Sequence, residues 1–212
     1  MSKFTITVAD DDHLGYVPDI EDAINQAAKV KGTGLAKRSR EYLTEKILQG
    51  KAVIALDENK TFAGFCYIES WGHEKFVANS GLIVPEQFRA QGLAMKIKEK
   101  AFQLSRKLFP GAKLFGLTTS LAVMKINSTL GYKPVTFSEL TDDEEFWKGC
   151  QTCSYYDILF RTNRTLCLCT GMLYDPEKES GILNLAKGYR KNGKMYKVLK
   201  GKVLKRISSI SK

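Results

Sequence analysis

Leu82-Ile83-Val84-Pro85-Glu86-Gln87-Phe88-Arg89-Ala90-Gln91-Gly92-Leu93-Ala94 is the stretch that decides the fold. Three aliphatic residues read as the end of a strand, and Pro85 interrupts any further pairing there. From Gln91 the period changes: Leu93, Ile97, Ala101, Leu104 and Leu108 recur at steps of three and four, with lysine and glutamate between them. The segment predicts a strand, a short loop and a long helix over Gln91–Leu108. Such a junction suits an anion. Gly92 permits close backbone approach, Ala94 keeps the first turn slim, and the unpaired N–H groups there can hold a pyrophosphate beside Arg89. An ordinary strand-to-helix turn shares the same pattern.

Upstream, Phe4–Ala9 reads as a strand, and Asp19–Lys31 and Ser39–Gln49 as helices, the second with Ser39 as a candidate N-cap. Ala52–Leu56 and Thr61–Ser70 flank the turn-forming Asp57-Glu58-Asn59-Lys60, which predicts a hairpin, and Phe76–Val84 supplies another strand. Downstream, Lys113–Thr118 reads as a strand and Leu121–Leu130 as a helix. Tyr132–Leu140 and Tyr155–Phe160 read as late strands around a helical Thr141–Trp147. This order predicts an α/β protein with a mixed central sheet flanked by helices.

The chain has 212 residues, 43% of them apolar, enough for one domain with a core plus an appendage. The formal charge of +10 is not evenly spread. Residues 1–160 hold 20 basic and 20 acidic side chains, whereas 161–212 hold 13 basic and three acidic. A neutral domain over 1–160 is therefore expected to precede a cysteine-containing segment and basic extension over 161–212. The start, Met1–Asp12, has no apolar signal core, and no run approaches the length of a membrane span, so a soluble, cytoplasmic chain is expected.

The pattern R-x-x-G-x-A over Arg89–Ala94 resembles the acyl-CoA-binding motif of the GCN5-related N-acetyltransferase superfamily, and the order of elements over residues 4–160 is similar to that fold. The resemblance implies an N-acyltransferase with acetyl-CoA or another acyl-CoA as co-substrate. Leu82, Ile83 and Val84 would pair with the pantetheine arm, and Arg89, Gln91, Gly92, Leu93, Ala94 and Met95 would hold the pyrophosphate. A narrower resemblance is to the N-acetylglutamate synthases of arginine biosynthesis. It rests on Lys37-Arg38-Ser39-Arg40-Glu41-Tyr42-Leu43, on Leu114-Phe115-Gly116-Leu117-Thr118-Thr119 and on Gly131-Tyr132-Lys133-Pro134-Val135.

That second resemblance implies an amino-acid acceptor, L-glutamate, and an acetyl or succinyl donor. Arg38 and Arg40 are the candidates for its carboxylates, one of them facing substrate. Where many members of the superfamily carry an acidic tyrosine, four residues before the Gly-Phe pair, this chain has Asn127. Asn127 can donate to a sulfur but cannot supply a proton as a tuned acid does. Glu69 and Ser80, with Asn79 beside it, are the further catalytic candidates. Another amine (ornithine, a polyamine, a protein lysine) or a non-catalytic acyl-CoA sensor are the competing readings.

Cys150-x-x-Cys153 and Cys167-x-Cys169 form two pairs. Their reading stays open between a structural zinc site, packed thiols and a redox role. His73 is an acid–base candidate or a solvated loop residue, and Trp71 a pocket wall or a loop anchor. In the extension, Met195, Leu199 and Val203 recur near helical spacing among lysines. A basic amphipathic helix there would bind nucleic acid or an acidic surface, or pack on the body or on a second subunit of a homo-oligomer.

Overall fold

The computed structural model describes residues 3–30 and 35–178, and beyond them three strands at 189–191, 194–199 and 202–204. Two compact units result, Met1–Tyr174 and Asp175–Lys212. The first is built on a seven-stranded sheet of β1 (Phe4–Val8), β2 (Ala52–Asp57), β3 (Phe62–Trp71), β4 (Phe76–Ile83), β5 (Lys113–Thr118), β6 (Lys133–Val135) and β7 (Thr170–Tyr174). Their order is β1-β2-β3-β4-β5-β7-β6. Every neighbouring pair is antiparallel except β4 and β5, which run parallel because α3 (Leu93–Leu108) crosses between them.

Period-two alternation sends successive side chains to opposite faces. On one face Val53, Cys66, Val77, Leu114 and Met172 meet Leu93, Ile97, Ala101 and Leu104 of α3. Met124 and Leu130, in and just after α4 (Leu121–Thr129), pack there too. On the other, Ile54, Phe65 and Tyr67 meet α1 (Val17–Lys29) and α2 (Arg40–Leu48) through Ile20, Ile24, Leu43 and Ile47. The same face continues at Ala78, Phe115 and Leu173, under Trp147 of α5 (Glu144–Lys148) and Leu159 of α6 (Tyr156–Arg161). A fully buried side chain such as Ile97 or Leu43 contributes about 1.5–3 kcal/mol, so this two-sided packing carries the sheet.

The local signals are visible. The Ser39 hydroxyl accepts from the Tyr42 amide at 3.3 Å and starts α2, and Ser120 does the same for Val123 at 3.4 Å. Three expectations change. Tyr155–Phe160 is helical rather than extended, since Tyr156–Arg161 turns Leu159 inward and leaves Phe160 exposed, a three-to-four period rather than two. Pairing over Tyr132–Leu140 is confined to Lys133–Val135, and a single 3-10 turn follows at Phe137–Glu139. The sheet also runs beyond residue 160: β7 pairs with β5 on one side and β6 on the other, so the first unit ends at Tyr174.

The second unit shows β8 (Tyr189–Lys191), β9 (Lys194–Leu199) and β10 (Lys202–Leu204) as an antiparallel three-stranded sheet. Met195, Leu199 and Val203 are thus in strands, not in the amphipathic helix their spacing suggests. The register of β10 against β9, Lys202 opposite Leu199 and Leu204 opposite Lys197, is that of an antiparallel pair. The rest of the basic extension, including Gly181–Gly188 and Lys205–Lys212, lies outside the described residues, and with it the nucleic-acid reading. Among the described residues no helix is long and apolar enough to cross a membrane.

Candidate active site

The parallel pairing of β4 with β5 covers only Phe76–Ala78 against Lys113–Phe115. Beyond it the strands part, for a reason written in β4. Against β3 the register shifts between Phe65 and Tyr67, which leaves one extra residue on β4. Gly81 in that bulge has a φ of +64°, and a Cβ on it would lie 2.5 Å from the Tyr67 ring. The bulge redirects Leu82–Val84 away from β5, and a cavity of about 1200 Å³ opens between the two strands.

One end of the cavity is the loop that leaves β4. Ala90 and Gly92 both take left-handed conformations, with φ of +59° and +73°. Gly92 is the N-cap of α3 and offers no side chain to the first turn, so those amides face outward uncapped. A Cβ at Gly92 would meet nothing within 4 Å, and Gly92 and the residues of that first turn line the cavity. Arg89 turns back, its Nε donating to the Val84 carbonyl at 3.0 Å, and braces the loop. Leu82, Ile83, Val84, Leu93, Ala94 and Met95 line this end. The Gln91 side chain points elsewhere, accepting from Lys3 at 3.0 Å and donating to the Gln87 carbonyl at 3.2 Å.

The other end is cationic and aromatic. Arg38 Nε donates to the Tyr67 hydroxyl at 2.8 Å and Nη1 to the Lys37 carbonyl at 2.8 Å, while Nη2 faces Gly149. Burial alone would lower the Arg38 pKa, but Tyr67, Tyr42 and Glu69 outweigh it and the net shift is upward, so the guanidinium stays charged. Glu69 receives Lys46 Nζ at 2.5 Å and the Tyr42 hydroxyl. Burial raises both Tyr42 and Tyr67. Trp71 and Phe146, edge to face at 5.7 Å, wall the same end.

The sequence-derived candidates thus separate. Arg38, Glu69, Ser80 and Asn127 share one cavity. Arg40 does not: its Nε is bonded to Glu21 of α1 at 2.5 Å on the exposed surface. His73 sits on an exposed turn at φ +53°, outside the cavity. Asn127 is 1% exposed and its Oδ1 has no hydrogen-bond partner, an orphan acceptor in the cavity wall. Three residues were missed in the sequence. Tyr42 and Lys46 belong to the Glu69 cluster, and Lys98 is buried on α3. Lys98 and Ser105 lie seven apart on the apolar stripe of α3, the spacing that would have revealed them.

All four late cysteines also line the cavity. Among the described residues no three His, Cys, Asp or Glu side chains converge as a metal site requires, so of the open readings the zinc site is left without support. Cys150, Cys167 and Cys169 instead pack against the Trp147 and Leu159 cluster. Burial pushes the Cys150 thiol up to about 11 and the Cys169 thiol, beside Cys167, up to about 12. Both shifts favour the protonated thiol at Cys150 and Cys169, in an apolar packing.

Known structures share this fold. Part of an N-acetylglutamate synthase from Neisseria gonorrhoeae, complexed with coenzyme A and N-acetyl-glutamate, superimposes with a TM-score of 0.60 over 82% of this chain, at 19% identity. This is the fold of the GCN5-related N-acetyltransferases. This chain spans 35% of that synthase. A GNAT-superfamily phosphinothricin acetyltransferase from Sinorhizobium meliloti in complex with acetyl-CoA matches with a TM-score of 0.57, at 13% identity over 82% of this chain and 89% of its own. A putative acetyltransferase from Salmonella typhimurium with acetyl-CoA matches at 0.55, at 14% identity over 82% and 95%. No protein-family model and no curated protein sequence matches the chain.

Proposed function

We propose that the chain is an acyl-CoA-dependent N-acyltransferase whose acceptor is a small amino acid, with L-glutamate, the substrate of arginine biosynthesis, as the first candidate. The observation that carries this reading is the two-ended cavity. Uncapped amides at Gly92 border one end, and Arg38 presents a charged guanidinium at the other. The first end fits a coenzyme A pyrophosphate, with backbone donors and a helix dipole in place of lysines. The strand edge of Leu82–Val84 and the orphan Asn127 Oδ1 offer acceptors and donors to the amides of a pantetheine arm.

The bound acyl-CoA would supply a thioester, and the chain's own residues would do the rest. Arg38, fixed by Tyr67 and Lys37, would take an acceptor carboxylate through Nη2. Trp71 and Phe146 would exclude water beside it. Holding amine and thioester together supplies much of the rate through orientation alone. Glu69 already carries Lys46 and Tyr42, so it is placed to fix the cavity wall rather than to accept a proton from the amine. The glutamate assignment draws on Arg38 and on the N-acetyl-glutamate complexed with the Neisseria synthase.

The test is release of free CoA thiol from acetyl-CoA and succinyl-CoA against a panel of amines headed by L-glutamate, with CoA binding measured by calorimetry. Glutamate-dependent release is expected. Release with a polyamine or a protein lysine alone would replace the acceptor assignment, and absence of CoA binding would overturn the acyltransferase reading itself.

A further inference from the structure

Lys98 is the one lysine of α3 carried into the core, 2% exposed, yet it counts among the residues lining the cavity. Its Nζ donates to the main-chain oxygen of Asn79 at 3.1 Å and stands 5.8 Å from the Tyr132 ring. Asn79 is the first residue of β4 after the last pair with β5, so the ammonium sits where the two strands begin to part. Gly116 faces it from β5. A Cβ there would lie 3.6 Å from the Asn79 oxygen and 3.9 Å from Lys98 Nζ, and the glycine leaves that space empty.

The neighbours of Lys98 give it no countercharge. Cys66 on β3 is a thiol, held neutral by burial. The Asn79 side chain is fully engaged, donating to Ser105 Oγ at 2.8 Å and accepting from the Tyr132 hydroxyl at 2.7 Å. Burial also raises the Tyr132 phenol, so it too stays neutral. Among the described residues no carboxylate is bonded to Nζ. A buried cation held by one carbonyl, with a free side toward a cavity, is costly unless negative charge arrives there.

We propose that Lys98 is a catalytic residue of this site, its ammonium receiving the charge that builds on the departing sulfur of the thioester. The inference rests on the acyltransferase reading. The neutral acceptor amine forms a bond to the acyl carbon. The carbon–sulfur bond breaks with its electron pair on sulfur, which departs as a thiolate paired with the Lys98 ammonium. The surplus proton on the new amide nitrogen leaves to water and the thiolate takes one from water as it departs, so amine and thioester yield amide and thiol with no net proton. Desolvation lowers the Lys98 pKa, with Cys66 offsetting part of it, so a negative sulfur beside Nζ is the charge that favours the ammonium.

The experiment follows the thiol of bound CoA by its thiolate ultraviolet absorbance, as a difference against protein loaded with desulfo-CoA. In the unmodified protein the bound thiol should ionise at a lower pH than free CoA. In Lys98→Met that shift should vanish, while CoA affinity stays within about threefold and kcat falls by roughly 10²-fold or more with KM little changed. A bound thiol that titrates like free CoA in the unmodified protein overturns the proposal, whether or not the variant folds. So does a variant that keeps the shift or keeps kcat. If CoA binds and turnover is seen without the shift, only Lys98 loses its role. If CoA does not bind, the acyltransferase reading fails first and takes this inference with it.

Discussion

Gly81 and Tyr67 stand so close that a Cβ on the glycine would fall 2.5 Å from the tyrosine ring, and the same ring carries the hydroxyl that accepts from Arg38. The bulge that parts β4 from β5 and the residue that orients the acceptor-end cation are therefore one packed unit. Gly81→Ala meets both a left-handed φ and a blocked volume. A loss of about 2–4 kcal/mol is expected, read by urea denaturation, with weaker CoA binding by calorimetry because the splay depends on the bulge. Stability and binding equal to the parent would show that the bulge is not what opens the cavity.

Gly92 makes the contrast. It has a comparable φ of +73°, but a Cβ there meets no neighbour. Gly92→Val should cost the fold only the left-handed penalty of about 1–2 kcal/mol, whereas the valine would stand in front of the uncapped amides. CoA binding roughly ten- to a hundredfold weaker is expected, since each 1.4 kcal/mol is tenfold. An unchanged dissociation constant would mean that the pyrophosphate is held somewhere else.

Why these features were readable, and others not, has a physical basis. The Leu82–Ala94 junction was legible because strand, proline, glycine and a three-to-four period each constrain the backbone locally. So was Ser39, whose capping bond spans only three residues. Tyr155–Phe160 misled because a six-residue aromatic and aliphatic run fits strand and short helix alike, and its packing under Trp147 decided the matter. The Arg38–Tyr67 and Lys98–Asn79 contacts join residues 29 and 19 positions apart. Residue types mark such groups as candidates, but only the sheet register shows which of them meet. Arg38 and Arg40 are the sharpest case, two identical side chains separated by the face of one helix start.

That separation yields a prediction. Arg38→Ala should raise KM for an amino-acid acceptor by about ten- to a hundredfold, the range of a lost charge-assisted hydrogen bond. Its effect on acetyl-CoA binding should be small. Arg40→Ala removes an exposed, solvent-screened pair with Glu21 and should leave the acceptor KM within twofold. Steady-state kinetics on the two variants decide between them. Equal effects, or a larger one from Arg40, would move the carboxylate site to the outer surface of α2.

The cysteines supply a prediction with a defined pH window. Burial raises the Cys150 thiol to about 11 and the Cys169 thiol to about 12, against an ordinary value of 9.0. Between those limits the folded protein keeps protons that the unfolded chain has released. Stability from this source is therefore complete below about pH 9 and is lost as pH rises toward 12. Replacing both by serine, which does not titrate there, should flatten the fall in denaturation midpoint between about pH 9 and pH 11. Alkylation of the parent protein by iodoacetamide should likewise be slow at pH 7 and quicken steeply above pH 9. A metal held by the four sulfurs would reverse the pattern, since bound thiolates are already deprotonated. Chelator-sensitive stability at pH 7, with no alkaline slope removed by the serine pair, would restore the metal reading.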